Sequence, residues 1–303
     1  MRTRKKVKVT VVGLGKLGHG VIEAAQRAPD IEVVGAVETR LKSKKNNLPF
    51  PVTDRAAKIG DEEIAILCVP TNEVTKVAPH YHKLGISTVD SFDMHQEANW
   101  QHYLAIKKST SRYKVRALTS GGTDPGLGSM VRALLQIPAP WGITYTNYGP
   151  GTSMGHTVVV RSVPGVGDAI SVTIPKGFGL TRRDVFVRPE TGADLIEIER
   201  KIHSDKYYSR DEIHVFFVDD VESLYDSGHK VEIERKGVSG QTHNQHFRFQ
   251  TIFTNHAMTG QLLVACARAL SKQPPGTYTM IDLPLRDFLT PIKNEEDLFK
   301  EII

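Results

Sequence analysis

The sequence predicts an α/β protein in two parts. A doubly wound parallel sheet occupies residues 1–120 and is completed by the C-terminal segment 256–303. A second, α+β domain over 121–255 is built on a mostly antiparallel sheet. Three observations predict this. Apolar strand-like runs alternate with helical spacing through the first 120 residues. The first run ends in Gly13-Leu14-Gly15-Lys16-Leu17-Gly18, a glycine loop that opens a helix, as in Rossmann-type dinucleotide folds. After residue 120 the strands become longer and are separated by turn-rich stretches such as GPGTSMGH and PGVGD.

The elements follow in order. Val7–Val12 is a strand and Lys16–Gln26 has helical spacing. Ile31–Val37 is a strand, and Ile64–Val69 is a short apolar strand closed by Pro70. Glu73–Leu84 is a helix, Ile86–Asp90 a strand, Glu97–Lys108 a helix and Tyr113–Leu118 a strand. In the second part Thr157–Val160, Ala169–Ile174, Val185–Val187, Ile213–Val218, Lys230–Arg235 and His246–Thr254 read as strands. Ala193–His203 is the strongly helical stretch among them. Thr259–Lys272 returns to helical spacing, and a short strand and helix at the end fold back on the first domain.

Composition narrows the function. The 303 residues suit two domains, and 40% apolar with 24% charged residues suits a soluble globular protein. No apolar run is long enough to span a bilayer, so no membrane partner is expected. The start, MRTRKK followed by VTVVGLG, reads as a first strand and not a signal peptide. Cys68 and Cys266 sit in apolar runs and are expected as buried thiols in a reducing compartment. The net charge of +5 comes from scattered basic residues without interleaved aromatics, so no nucleic-acid partner is expected. A modest positive field suits a phosphorylated cofactor or an anionic substrate.

In the glycine loop, Gly13 permits the tight turn and Gly15 lets backbone amides approach a pyrophosphate. Gly18 lets the helix pack on the strand, and Lys16 and Leu17 complete the loop. The second strand ends in Val37-Glu38-Thr39-Arg40. Glu38 stands where a carboxylate bonds a ribose 2′-hydroxyl, which favours NAD. Arg40, with Lys42, Lys44 and Lys45 nearby, suits a 2′-phosphate, which favours NADP. Cys68, Pro70 and Thr71, at the end of the short strand Ile64–Val69, are expected to line the cofactor.

Ligands of doubly wound sheets bind beyond the carboxyl ends of the strands. STVDSFDMH places Asp90 and Asp93 at one such end, and Gly122-Thr123-Asp124-Pro125-Gly126 follows the next. Three carboxylates there suit a substrate ammonium. Capping and turn formation are the bland alternatives, most of all for Asp124. His243 and His246 have metal-like spacing but no third ligand nearby, so no metal is expected. His156 reads as structural or pocket-lining. Trp100, on an amphipathic helix, reads as core.

TVDSFDMH, SGGTDPGLGS, Tyr148-Gly149-Pro150-Gly151, SMGH, RSVPGV, AISVTIP, RRDVFV and TNHAMTGQLLVACARAL follow one another along essentially the whole chain. In order and spacing they resemble the meso-diaminopimelate dehydrogenase family. The resemblance implies a cytoplasmic, homodimeric, usually NADP-dependent enzyme of lysine and cell-wall precursor synthesis. Its small-molecule substrate is an amino acid: the D-centre of meso-2,6-diaminopimelate is deaminated to L-2-amino-6-oxopimelate and ammonia, reversibly. It implies that Asp90, Asp93 and Asp124 surround the reacting amino group, without saying which is the base. It further implies that Thr173, Arg183 and His229 grip the distal carboxylate, and that Thr123, Tyr148, Met154, Gly155 and Asn255 line the substrate.

The chain departs from the family pattern at several of these positions. Thr123 and Tyr148 replace tryptophans, Met154 a glutamine and Val158 an aspartate. Glu38 and Thr39 replace a small hydroxyl residue and an arginine. These departures leave open a related amino acid or imine as substrate. A dinucleotide-binding regulator is the third reading.

Overall fold

The computed structural model describes residues 6–39, 48–55, 59–209, 211–224, 229–291 and 295–303. The chain divides into two compact units: residues 1–130 with 256–303, and residues 131–255.

Unit 1 holds a seven-stranded parallel sheet. Its strands are β1 (Val7–Val12), β2 (Ile31–Val37), β3 (Val52–Thr53), β4 (Ile64–Leu67), β5 (Ser87–Asp90), β6 (Arg116–Leu118) and β13 (Gly276–Tyr278), in the spatial order β13-β6-β5-β4-β1-β2-β3. Strands such as IAIL are apolar throughout because both faces of the sheet are covered. On one face α1 (Lys16–Arg27) and α7 (Asn255–Ser271) contribute Val21, Ile22, Leu263 and Val264 to a core with Val9 and Ile66. On the other, α2 (Thr71–Lys83) and α3 (Glu97–Tyr113) contribute Val74, Tyr81 and Ile106 to a core with Leu67 and Ala117. The two helices of the first face approach through glycine. A Cβ added to Gly20 would lie 2.6 Å from the carbonyl oxygen of His256, and one on Gly260 would lie 2.6 Å from the carbonyl carbon of Gly20.

Two expectations are corrected here. Tyr113 ends a helix and does not begin a strand. The helix continues until Lys114 takes a left-handed conformation (φ 53°), so β6 shrinks to Arg116–Leu118. Trp100 is 53% exposed and stacks on Tyr103, not in the core.

α4 (Gly128–Gln136) carries the boundary between the units. Unit 2 is a six-stranded sheet in the order β10-β9-β8-β7-β11-β12. Its strands are β7 (Trp141–Thr152), β8 (Val166–Gly177), β9 (Leu180–Pro189), β10 (Glu212–Phe217), β11 (His229–Ser239) and β12 (Thr242–Phe253). All neighbours pair antiparallel except β9 and β10, which are joined by a crossover through α6 (Leu195–Ser204). Val185, Val187, Ile198, Ile202 and Tyr208 form its core with Val160.

The run Thr157–Val160 is a helix, not a strand: α5 spans Met154–Arg161. Its β-branched composition favours a strand, but tertiary packing overrides propensity. Thr157 and Val160, three residues apart, are the buried positions. The stretch GPGTSMGH, expected to be turn-rich, divides between two elements: Gly149–Thr152 continue β7, with Gly149 at φ 90° and Gly151 at φ 148°, and Met154 opens α5. Within unit 1, α8 (Leu285–Phe288) and α9 (Glu295–Ile302) complete the chain.

Candidate active site

The glycine loop joins β1 to α1. Gly13 takes φ 97°, and a Cβ there would lie 2.6 Å from the carbonyl oxygen of Cys68. A Cβ on Gly18 would lie 2.0 Å from the carbonyl oxygen of Gly13. These two glycines answer to the protein's own packing. Gly15 does not: a Cβ there meets nothing within 4 Å, so its bareness keeps space open in front of α1. Gly15 is the N-cap, no side chain caps the helix, and no acidic residue stands in the first turn. That combination suits a pyrophosphate, which the first-turn amides and helix dipole attract. Lys16 is exposed, and lines a groove with Leu14, Gly15, His19 and His256. Leu17 packs against the core.

Glu38 turns toward this loop. Its Oε2 accepts the amide proton of Leu14 at 2.9 Å. Thr39 is exposed, and Arg40 lies outside the described residues. Cys68 donates its amide to the Val12 carbonyl, and burial pushes its thiol pKa up. Pro70 is the N-cap of α2. Thr71 begins that helix, and its hydroxyl donates to Oδ1 of Asp93 at 2.5 Å.

The three aspartates fall into two kinds. Asp90 has no exposed surface. Its Oδ1 accepts the amides of Phe92 at 3.0 Å and Ser120 at 2.9 Å, and its Oδ2 lies 3.2 Å from Nε2 of His102. The His102 ring is fixed in turn by Thr75, 2.8 Å from Nδ1, and by stacking on Phe92 at 4.2 Å. Asp90 therefore clasps the loops that follow β5 and β6. Both its oxygens are engaged inside the unit. Asp93 and Asp124 stand on those two loops. Asp93 is half-buried. Asp124 lies in extended conformation (φ −145°, ψ 129°) ahead of α4 and has His95 3.7 Å away. Thr123 shares a hydrogen bond with Thr259 at 3.0 Å.

In unit 2 the partners lie on β8 and β9. Thr173 and Arg183 are direct cross-strand neighbours. Both are buried, and Nη1 of Arg183 donates to the Thr173 hydroxyl. Gly149 allows β7 to pass close by, since a Cβ there would lie 2.2 Å from the carbonyl oxygen of Thr173. Tyr148 packs on the Val131–Val231–Ile233 cluster. Met154 and Gly155 open α5, and Asn255 opens α7. His229 begins β11, where its register partner is Gly151. The side chains of Met154 and His229 lie outside the described residues. His156 is held by Ser153, 2.8 Å from Nδ1, and by Asp211, 3.4 Å from Nε2. His246 bonds Glu234 at 2.9 Å, and among the described residues no three His, Cys, Asp or Glu form a metal cluster.

Residues 122–253 match the diaminopimelic acid dehydrogenase C-terminal domain family. The whole chain is similar to the meso-diaminopimelate D-dehydrogenase of Bacteroides fragilis, with 43% identity over 96% of this chain and 98% of that one. The chain belongs to the meso-diaminopimelate D-dehydrogenase family. Its fold is similar to that of solved structures. A Clostridium tetani meso-diaminopimelate dehydrogenase mutant, solved with diaminopimelate, superposes with a TM-score of 0.82 at 26% identity, covering 98% of this chain and 100% of that one. An engineered D-amino acid dehydrogenase bound to NADP⁺ superposes with a TM-score of 0.84 at 23% identity, covering 99% of this chain and 100% of that one.

Against that family frame, Val158 in place of aspartate is an exposed position on α5. Thr123 in place of tryptophan packs on Thr259. Sequence reasoning missed three supporting residues: His95 beside Asp124, His102 beside Asp90, and Asp211 beside Arg183. None follows its partner at a motif spacing. A buried carboxylate or arginine needs a partner, which is the general signal that points to them.

Proposed function

We propose that this protein catalyses the reversible oxidative deamination of the D-centre of meso-2,6-diaminopimelate to L-2-amino-6-oxopimelate and ammonia, with NADP as cofactor. The observation that carries it is that the loops bearing Asp93 and Asp124 are held together by one buried carboxylate, Asp90. Membership of the family supports the substrate.

Gly13, Gly15 and Gly18 with the start of α1 hold the dinucleotide. A bound nicotinamide supplies the hydride acceptor. Asp93 and Asp124 bind the substrate ammonium, and one of these carboxylates takes its proton, because hydride loss from the α-carbon needs the neutral amine. As the C–H bond breaks, the nitrogen lone pair forms a C=N bond. Water then adds to that carbon and ammonia leaves. Thr71 donates to Asp93 and orients it. Arg183 and Thr173 take the distal carboxylate, for which the planar guanidinium is suited. Family resemblance supports a cytoplasmic location and a homodimer; light scattering on the purified protein tests the dimer.

A second reading concerns the cofactor. Glu38, held against the loop amide of Leu14, favours NAD, because a carboxylate there repels a 2′-phosphate. Absorbance of the reduced nicotinamide at alkaline pH tests both readings, with meso-diaminopimelate and NADP⁺ or NAD⁺ in parallel. Turnover with NADP⁺ supports the first reading. Turnover only with NAD⁺ keeps the chemistry and reverses the cofactor. Silence with both, from protein that binds a dinucleotide, refutes the substrate.

A further inference from the structure

The chemistry proposed above leaves one enclosed carboxylate of unit 2 without a role. Asp211 stands immediately before β10, and its side chain is 11% exposed. Oδ2 accepts Nε–H of Arg183 at 2.8 Å, and Oδ1 accepts the Thr181 hydroxyl at 2.5 Å. Nε2 of His156 lies 3.4 Å from Oδ2. That imidazole is itself immobilised: Ser153 holds Nδ1, and Tyr207 and Tyr208 pack edge-on at 4.6 and 4.8 Å. Burial pushes the Asp211 pKa up, but His156, Arg183 and Thr181 together pull it down to about 2, so it is an anion at neutral pH.

Arg183 is thus tied at two corners, Nε to Asp211 and Nη1 to Thr173. Among the described residues Nη2 meets no acceptor. A guanidinium has two edges that suit a carboxylate, the Nε side and the Nη end. Asp211 occupies the first and leaves the second. It also removes the rotamer freedom that a long side chain otherwise loses on gripping a ligand, which improves binding by pre-organisation.

We propose that Asp211 is the positioning residue of the distal-carboxylate grip, fixing Arg183 through Nε so that its Nη end meets the second carboxylate of the substrate. The proposal rests on the reading of Arg183 given under the proposed function. Asp211 would then act on substrate binding and not on the chemical step. Removing its charge should loosen a ligand group far from the reacting carbon.

The test is a double-mutant cycle on the full-length enzyme with Asp211→Asn and Arg183→Lys, measuring kcat and KM for meso-diaminopimelate and KM for the cofactor. Asp211→Asn is expected to raise the meso-diaminopimelate KM about tenfold, with kcat at saturation and the cofactor KM held within about twofold. In the Arg183→Lys background it should add nothing further, because the group it positions has gone. A general structural role predicts additive losses and falls on all three parameters, and that result overturns the proposal. If Arg183→Lys raises KM while Asp211→Asn does not, Asp211 has no positioning role. If Arg183→Lys leaves KM unchanged, the grip itself is misassigned and both readings fall. Should Asp211→Asn fail to fold, Thr181→Val removes one tether of Asp211 while keeping every charge. A smaller KM rise in the same direction supports the proposal, and an unchanged KM refutes it.

Discussion

Asp90 and Asp124 illustrate how one residue type takes two roles according to its surroundings. Asp90→Ala would leave the amides of Phe92 and Ser120 and the ring of His102 without their acceptor in a closed interior. Leaving buried donors without their acceptor costs about 1–3 kcal/mol. The expected outcome is a lower urea midpoint for Asp90→Ala, together with lost activity as both loops loosen. Asp124→Asn should behave differently. The amide keeps the shape but loses the charge that holds the substrate ammonium, so kcat/KM should fall by about 100-fold or more while dinucleotide binding persists. Quenching of protein fluorescence by the cofactor checks the second half. Parallel loss of cofactor affinity would show that Asp124 supports the fold and not the chemistry.

At the scale of elements, the glycines separate packing from binding. Gly20 lets α1 meet the start of α7, and Gly18 lets α1 meet its own loop, each with backbone closer than any Cβ allows. Gly20→Ala should destabilise the protein by about 1–3 kcal/mol, the cost of overpacking a close contact. Gly15→Ala should leave the melting temperature within about 1 °C, since its Cβ meets only open space. Its effect should appear in a weaker dinucleotide dissociation constant, measured by titration calorimetry. Equal affinity for wild type and Gly15→Ala would remove the pyrophosphate from this helix terminus.

For the whole molecule, acidification should act in two windows. His82 is fully buried between Thr88 and Ser109, with ring nitrogens 2.8 and 2.7 Å from their hydroxyls. Burial lowers its pKa from 6.5 to about 4, against the attraction of Asp90. The folded-state value lies below the unfolded one, so folding favours the neutral ring. Its contribution is whole above pH about 6.5 and is lost as pH falls toward 4. Asp211 is depressed from 3.8 to about 2, so its contribution is present above pH about 3.8 and is lost below that. Unit 1 should therefore weaken first. Thermal melts between pH 7.5 and 4.5 should fall steadily in the wild type and flatten in His82→Gln; an unchanged slope would exclude His82 as the cause.

The sequence by itself determined the parallel sheet of unit 1, because fully apolar runs with helical segments between them have one stable arrangement. It also placed Gly13, Gly15 and Gly18 on a strand-to-helix turn, and Asp90, Asp93 and Asp124 at the ends of strands. Those features are local, and local periodicity and turn chemistry carry them. It did not decide α5, where a β-branched run became a helix once Thr157 and Val160 found buried neighbours. It did not show that Asp90 turns inward while Asp93 stays half-buried three residues on. Nor did it join Asp211 to Arg183 across 28 residues, or His102 to Asp90 across 12. Those pairings come from strand register and from the need of every buried charge for a partner, and both are settled only when distant segments meet.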